Sequence, residues 1–244
     1  MVLYPFPART VVSSFEAAET SLAKVLEIVP YCAEHRKVWS PLLATILIDT
    51  CSQLDSLWRH VACVRGKKPA TLTMSDYRAR FGPSGADRLN TRFVVFWGDD
   101  QGLAVAPFRE WGTKQTLGWW TAYNAVKHDR LRNRTEATIQ NATYALAGLF
   151  IAILHAKSCL DGILHTSWVP GLAKHPGLLR DSLTRNATWA GLAESNLLIP
   201  ESRLFSCAPN ATTDSVRGQG SCESSPRFYR WWTKSPDKIE DLCE

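Results

Sequence analysis

Ser40-Pro-Leu-Leu-Ala-Thr-Ile-Leu-Ile-Asp-Thr-Cys-Ser-Gln-Leu-Asp-Ser-Leu-Trp-Arg-His-Val61 is the stretch that decides the fold class. Ser40 is a favoured N-cap and Pro41 suits the first helical position, where its missing N–H costs nothing. Leu43, Ile46, Leu47, Thr50, Leu54, Leu57, Trp58 and Val61 recur at helical spacing and form one stripe. Asp49, Ser52, Gln53, Ser56 and His60 form the opposite, polar stripe, read as a solvated face. Gly66 supplies a stop, so a helix is predicted over 41–64.

Outward from this helix the same period recurs three times. Phe15, Ala18, Leu22, Val25, Leu26 and Val29 predict a helix over 15–29, with Ser13 and Glu16 as a capping box and Pro30 as its stop. A third helix is expected over 116–131. A fourth is expected over 135–160, with Ile139, Ala142, Leu146, Leu149 and Ile153 on one face. The short connection 129–134 makes the last two antiparallel neighbours. Four such stripes predict a mainly α protein: an antiparallel four-helix bundle from about 14 to 160, with a small β-hairpin excursion and an irregular C-terminal extension. The organisation expected is a helical unit over 1–165 and the extension over 166–244.

Between the second and third helices the period changes. Thr73 and Asp76 predict a short capped helix that ends at Gly82-Pro83. Residues 91–97 read as a strand, 98–102 as a turn and 103–108 as a return strand. A lone hairpin is marginal in water and has to pack on the bundle or on another chain. After His165, prolines at 170, 176, 200, 209, 226 and 236 interrupt the pattern. One more helix is expected over 181–195, a loop over 207–225, and Trp231-Trp232 is read as docking the tail onto the bundle.

The 244 residues are 45% hydrophobic and carry a formal charge of +5, which permits an anionic partner without demanding one. The longest apolar run, 144–156, falls short of the ~20 residues that cross a bilayer, so it reads as a buried core helix. The opening residues hold Pro5 and Pro7 and no long apolar run. Together with an odd count of seven cysteines, this leads to the expectation of a cytoplasmic protein with reduced thiols and no membrane contact. Cys32-x-x-His35 and His60-x-x-Cys63 have ligand types suited to zinc, yet i,i+3 pairs arise readily on helices, and no metal site is assigned. No phosphate-binding glycine loop or cofactor motif is present, and no cofactor is expected.

Chemistry concentrates in Trp119-Trp-Thr-Ala-Tyr-Asn-Ala-Val-Lys-His-Asp-Arg130. Residues 109–134 hold six basic side chains (Arg109, Lys114, Lys127, Arg130, Arg132, Arg134) against two acidic ones (Glu110, Asp129). Cations beside Trp119, Trp120 and Tyr123 suit a nucleic acid: arginines, among them Arg132 and Arg134, meet phosphates, and rings stack on bases. A histidine is the side chain suited to moving a proton at neutral pH, and His128 is the candidate for that role. Lys127 and Arg130 can offset phosphate charge, and Asn124, one turn before His128, can orient the imidazole or bind phosphate. The competing reading is a cap: His, Lys and Arg all favour a helix C-terminus because they meet its dipole.

Trp120-x-x-Tyr123-Asn124-x-x-Lys127-His128-Asp129-Arg130, followed by an Ala/Leu-rich helix, resembles members of the HEPN-like superfamily. The resemblance spans about 40–160 and is detailed over 119–130. It implies a compact helical bundle of the kind found in toxins, antiphage systems and RNA-processing proteins. Many of these are metal-independent endoribonucleases that act as homodimers, each subunit placing an Arg-x4–6-His motif at the shared interface. Carried over, His128 is the motif histidine, and Asn124 corresponds to the polar residue near it. The motif arginine would fall at 121–123, where this chain has Thr121, Ala122 and Tyr123. Either Lys127 or Arg130 replaces it from another direction, or the chain is a non-catalytic interaction module.

Overall fold

The computed structural model describes residues 6–62, 68–85, 87–98, 101–169, 199–207, 227, 228, 230 and 231. It is mainly α. The helices are α1 (Ala8–Ile28), α2 (Pro41–Val61), α3 (Met74–Phe81), α4 (Gly118–His128), α5 (Ile139–His155) and α6 (Leu160–Ile163). The strands β1 (Val94–Phe96), β2 (Leu103–Val105) and β3 (Phe205–Ser206) form one antiparallel sheet in the order β2-β1-β3.

α2 and α5 form the central pair, and both α1 and α4 pack on the two of them. Ser40 caps α2 as read, its hydroxyl accepting the Leu43 N–H at 3.1 Å. Trp39 bridges Thr138, the N-cap of α5, while Leu57 and Val61 line a small cavity with Ala152 and His155. α2 and α5 therefore start and end together and run the same way. α4 runs opposite to α2: Arg130, just past its end, reaches Pro41, and Trp120 near its start packs on Trp58. Thirteen of the seventeen residues of α5 are buried, which accounts for its nearly continuous apolar run. Gly148 lets Phe108 and Trp119 close on α5, since a Cβ there would stand 3.1 Å from the Phe108 ring. Among the described residues no single helix is long and apolar enough to cross a membrane.

Several boundaries differ from the sequence reading. α1 begins at Ala8, because Ala8 and Val12 are buried and extend the stripe one turn and more toward Pro7; Ser13 lies exposed within the helix and does not cap it. α4 is shorter than 116–131. Its first turn is capped by Glu110, whose carboxylate accepts the Gly118 N–H. The fourth predicted helix, over 135–160, breaks at Ala156 into a 3₁₀ turn and α6, at an angle of 89°. The short helix after Thr73 forms as read, with the Thr73 N–H donating to Asp76 at 2.9 Å.

The hairpin pairs Val94 with Val105 and Phe96 with Leu103. One face, with Val94, Phe96 and Val105, joins the helical core. The other face, with Phe93, Val95, Trp97, Ala104 and Ala106, is covered by Ile199, Phe228 and Trp231. Gly102 turns with a positive φ of 76°, and its carbonyl accepts the Trp231 indole N–H at 3.0 Å. Phe228 and Trp231 thus pack on the sheet rather than on the helices, while Trp232 lies outside the described residues. Residues 199–207 also supply β3, a strand absent from the sequence reading. The expected helix over 181–195 and, apart from Cys207, the expected loop over 207–225 lie outside the described residues.

Candidate nucleic-acid interface

The end of α4 and the connection 129–138 carry the exposed basic groups. Lys127, His128, Arg130, Arg132 and Arg134 are exposed, and Asn124 is half-buried. Each cation has a distinct setting. Lys127 Nζ donates to the Tyr123 hydroxyl at 3.1 Å and lies 5.2 Å from its ring centre. Arg130 Nη2 donates to the Pro41 carbonyl at 2.7 Å and to Thr45 Oγ1 at 2.9 Å. Arg132 pairs loosely with Asp129 at 3.4 Å. Arg134 lies 5.5 Å from the Trp39 ring centre and donates to the Leu131 carbonyl. Asp129 Oδ1 accepts the Arg132 N–H, and Asn133 Nδ2 donates to the Ala125 carbonyl at 2.9 Å. The Asn133 contact takes one carbonyl of the last turn of α4, and the first fixes the chain just beyond it. The side chains of His128 and Asn124 take no hydrogen bond among the described residues.

The aromatic half of the expected site stands elsewhere. Trp119, Trp120 and Tyr123 are 2%, 8% and 2% exposed. Trp119 donates its indole N–H to the Pro107 carbonyl at 2.8 Å, and Trp120 packs between Trp58 and Tyr123. These three are core rings and present no face to a base. The geometry is helical: 119, 120, 123 and 126 share the inward face of α4, while 124 and 128 share another. The ring beside the arginines is Trp39, 39% exposed, which the sequence reading passed over. Its signal was its place outside every apolar stripe, directly before a strong helix start.

A second polar cluster lies deeper. The Tyr77 hydroxyl donates to Asp55 Oδ1 at 2.7 Å and Arg59 Nε to Asp55 Oδ2 at 2.8 Å. Burial raises the Tyr77 phenol, and the Asp55 carboxylate raises it further. Both Asp55 oxygens are engaged, so this is a structural tie between α2 and α3. Cys32-His35 precedes α2 and His60 lies near its far end, about 28 Å along the helix at ~1.5 Å per residue. The two halves of the weighed zinc set therefore do not meet; Cys63 lies outside the described residues.

Comparison with protein-family models, curated proteins and solved structures gives no match to this chain.

Proposed function

We propose that this chain is a HEPN-like, RNA-binding helical protein that holds phosphates on the connection between α4 and α5. One observation carries the reading: Arg130, Arg132 and Arg134 are exposed on a short connection that the Arg130 side chain ties to α2 and the Thr138 bridge ties to Trp39, beside an exposed His128 whose side chain has no hydrogen bond among the described residues. A connection that is already held in place presents its cations to phosphates without first having to be ordered.

A second reading, metal-independent cleavage, is favoured by His128 itself. Its imidazole is solvent-facing, next to Lys127 and one turn from Asn124. Cleavage by the ribose 2′-hydroxyl needs one group to take a proton and another to give one to the leaving 5′-oxygen. This segment supplies one imidazole, so the reading includes a homodimer that brings two His128 side chains together. The competing class is a helical interaction module without nuclease activity.

Incubating the protein with mixed single-stranded and structured RNA in EDTA, beside a His128→Ala variant, separates the three. Cleavage that leaves 2′,3′-cyclic phosphate ends and falls about 10²–10⁴-fold in the variant supports the nuclease. Cleavage equal in the variant rejects His128 as its catalyst. Salt-sensitive binding without cleavage leaves the RNA-binding protein, and neither activity favours the interaction module.

A further inference from the structure

Three of the four large apolar side chains exposed among the described residues gather where α2 begins: Trp39, Leu42 at 45% and Leu131 at 81% exposure. The main chain around Trp39 is tied to the start of α5. Trp39 bridges Thr138, the Ile139 N–H donates to the Val38 carbonyl at 2.9 Å, and the Gln140 N–H donates to the Arg36 carbonyl at 3.2 Å. Ser40 caps α2 directly after the ring, and Arg130 locks the opposite chain onto Pro41 and Thr45. The main chain beneath Trp39 is therefore held on every side, and the ring projects from a rigid base.

The charge around it is mainly positive. Segments 36–45 and 127–138 hold six basic residues, Arg36, Lys37, Lys127, Arg130, Arg132 and Arg134, against Asp129 and Glu136. Asp129 is already engaged by Arg132. An exposed indole with a guanidinium 5.5 Å from its centre, set in a basic surface, suits a ligand that is both flat and anionic. A single-stranded nucleic acid has that chemistry; an acidic peptide has the charge but no repeating π-face.

We propose that Trp39, framed by Arg130 and Arg134, is the base-stacking platform of the RNA site. It takes an unpaired nucleobase on its open face while the arginines hold the flanking phosphates. The proposal rests on the RNA-binding reading above and adds the ring that reading lacks, since Trp119, Trp120 and Tyr123 are core.

The test is fluorescence anisotropy with a labelled single-stranded RNA of about ten nucleotides and an abasic oligonucleotide of equal length. The proteins are the wild type, Trp39→Leu and Trp39→Phe, each checked by thermal melting and light scattering. Trp39→Leu keeps apolar bulk without a π-face, and Trp39→Phe keeps a smaller one. The expected result is that Trp39→Leu weakens RNA binding roughly tenfold or more, that Trp39→Phe retains most of it, and that the abasic strand binds wild type and Trp39→Leu alike. RNA binding unchanged in Trp39→Leu overturns the stacking role and leaves the RNA reading standing. No RNA binding by the wild type overturns both. A Trp39→Leu variant that turns a dimer into a monomer overturns the proposal in favour of a contact between two copies.

Discussion

The Leu204 backbone N–H donates to Glu19 Oε1 at 2.8 Å, a contact between residues 185 apart in sequence that fastens the start of β3 to α1. The same carboxylate accepts the Ser202 hydroxyl and the Arg203 N–H, and Glu19 is 3% exposed. Glu19→Ala leaves three donors without their acceptor and should cost about 2–4 kcal/mol in thermal or urea unfolding. Glu19→Gln keeps an accepting oxygen and should cost roughly half as much. Burial raises the Glu19 carboxyl above its ordinary value despite these bonds. The folded state therefore holds this proton more readily than the unfolded chain. Stability from this group is full below the ordinary Glu range and is lost as pH rises through the raised value; Glu19→Gln should abolish that component.

Trp58 is the hub of the aromatic core. Its ring centre lies 5.0–5.7 Å from those of Tyr77, Phe81, Phe108, Trp111 and Trp120, so α3, the turn at 108–112 and α4 all meet on this one side chain of α2. Trp58→Ala should cost about 3–5 kcal/mol in urea unfolding. Its buried indole N–H has no hydrogen-bond partner among the described residues. Trp58→Phe removes that N–H together with some bulk, and should cost less than half of the alanine change. Equal costs would mean that a phenyl ring fills this site no better than a methyl group.

Local signals were legible in the sequence where the structure obeys local physics. Ser40-Pro41 starts α2, Thr73 and Asp76 start α3, and the strand and turn of 91–108 became β1 and β2. What the sequence did not show is set by distant contacts. The strand Phe205–Ser206 is two residues long and exists because β1 offers an edge and Glu19 fixes the turn before it. The break after His155 has no proline or glycine to mark it. At the candidate site, Trp119 and Trp120 adjoin the cations in sequence, but the helix turns them inward, and periodicity within one aromatic segment does not say which face carries the core. Trp39 was hidden by the reverse effect: it is 91 residues or more from its arginines in sequence and comes beside Arg134 only through the Thr138 bridge.

His155 makes the fold acid-sensitive. Its Nε2 is closed off from solvent without a hydrogen-bond partner among the described residues, and burial, with Arg92 nearby, drives the imidazole down to about 3. The unfolded chain binds this proton near the ordinary His value and the folded chain does not. Stability from this group is therefore full above about pH 6.5 and falls as pH drops toward 3, by up to roughly 1.4 kcal/mol per pH unit. Unfolding midpoints for wild type and His155→Gln, measured between pH 7 and 4, should diverge in that direction. Parallel curves would show that the imidazole is as well solvated folded as unfolded.

The three arginines of the connection should separate in their effects. Arg132 is 89% exposed along its side chain and holds only its loose pair with Asp129. Arg132→Gln should leave melting unchanged, weaken RNA binding across sequences, and reduce the slope of log affinity against log salt by about 0.7, the value of one single-strand phosphate contact. Arg130 also closes the connection onto Pro41 and Thr45, so Arg130→Gln should lower the melting temperature as well as the slope. Arg134→Gln should reduce the slope like Arg132→Gln, and it also removes the cation beside Trp39. A salt series of anisotropy titrations, with melts of each variant, reads all three. An unchanged slope in Arg132→Gln and Arg134→Gln together would remove this connection from the path of the RNA backbone.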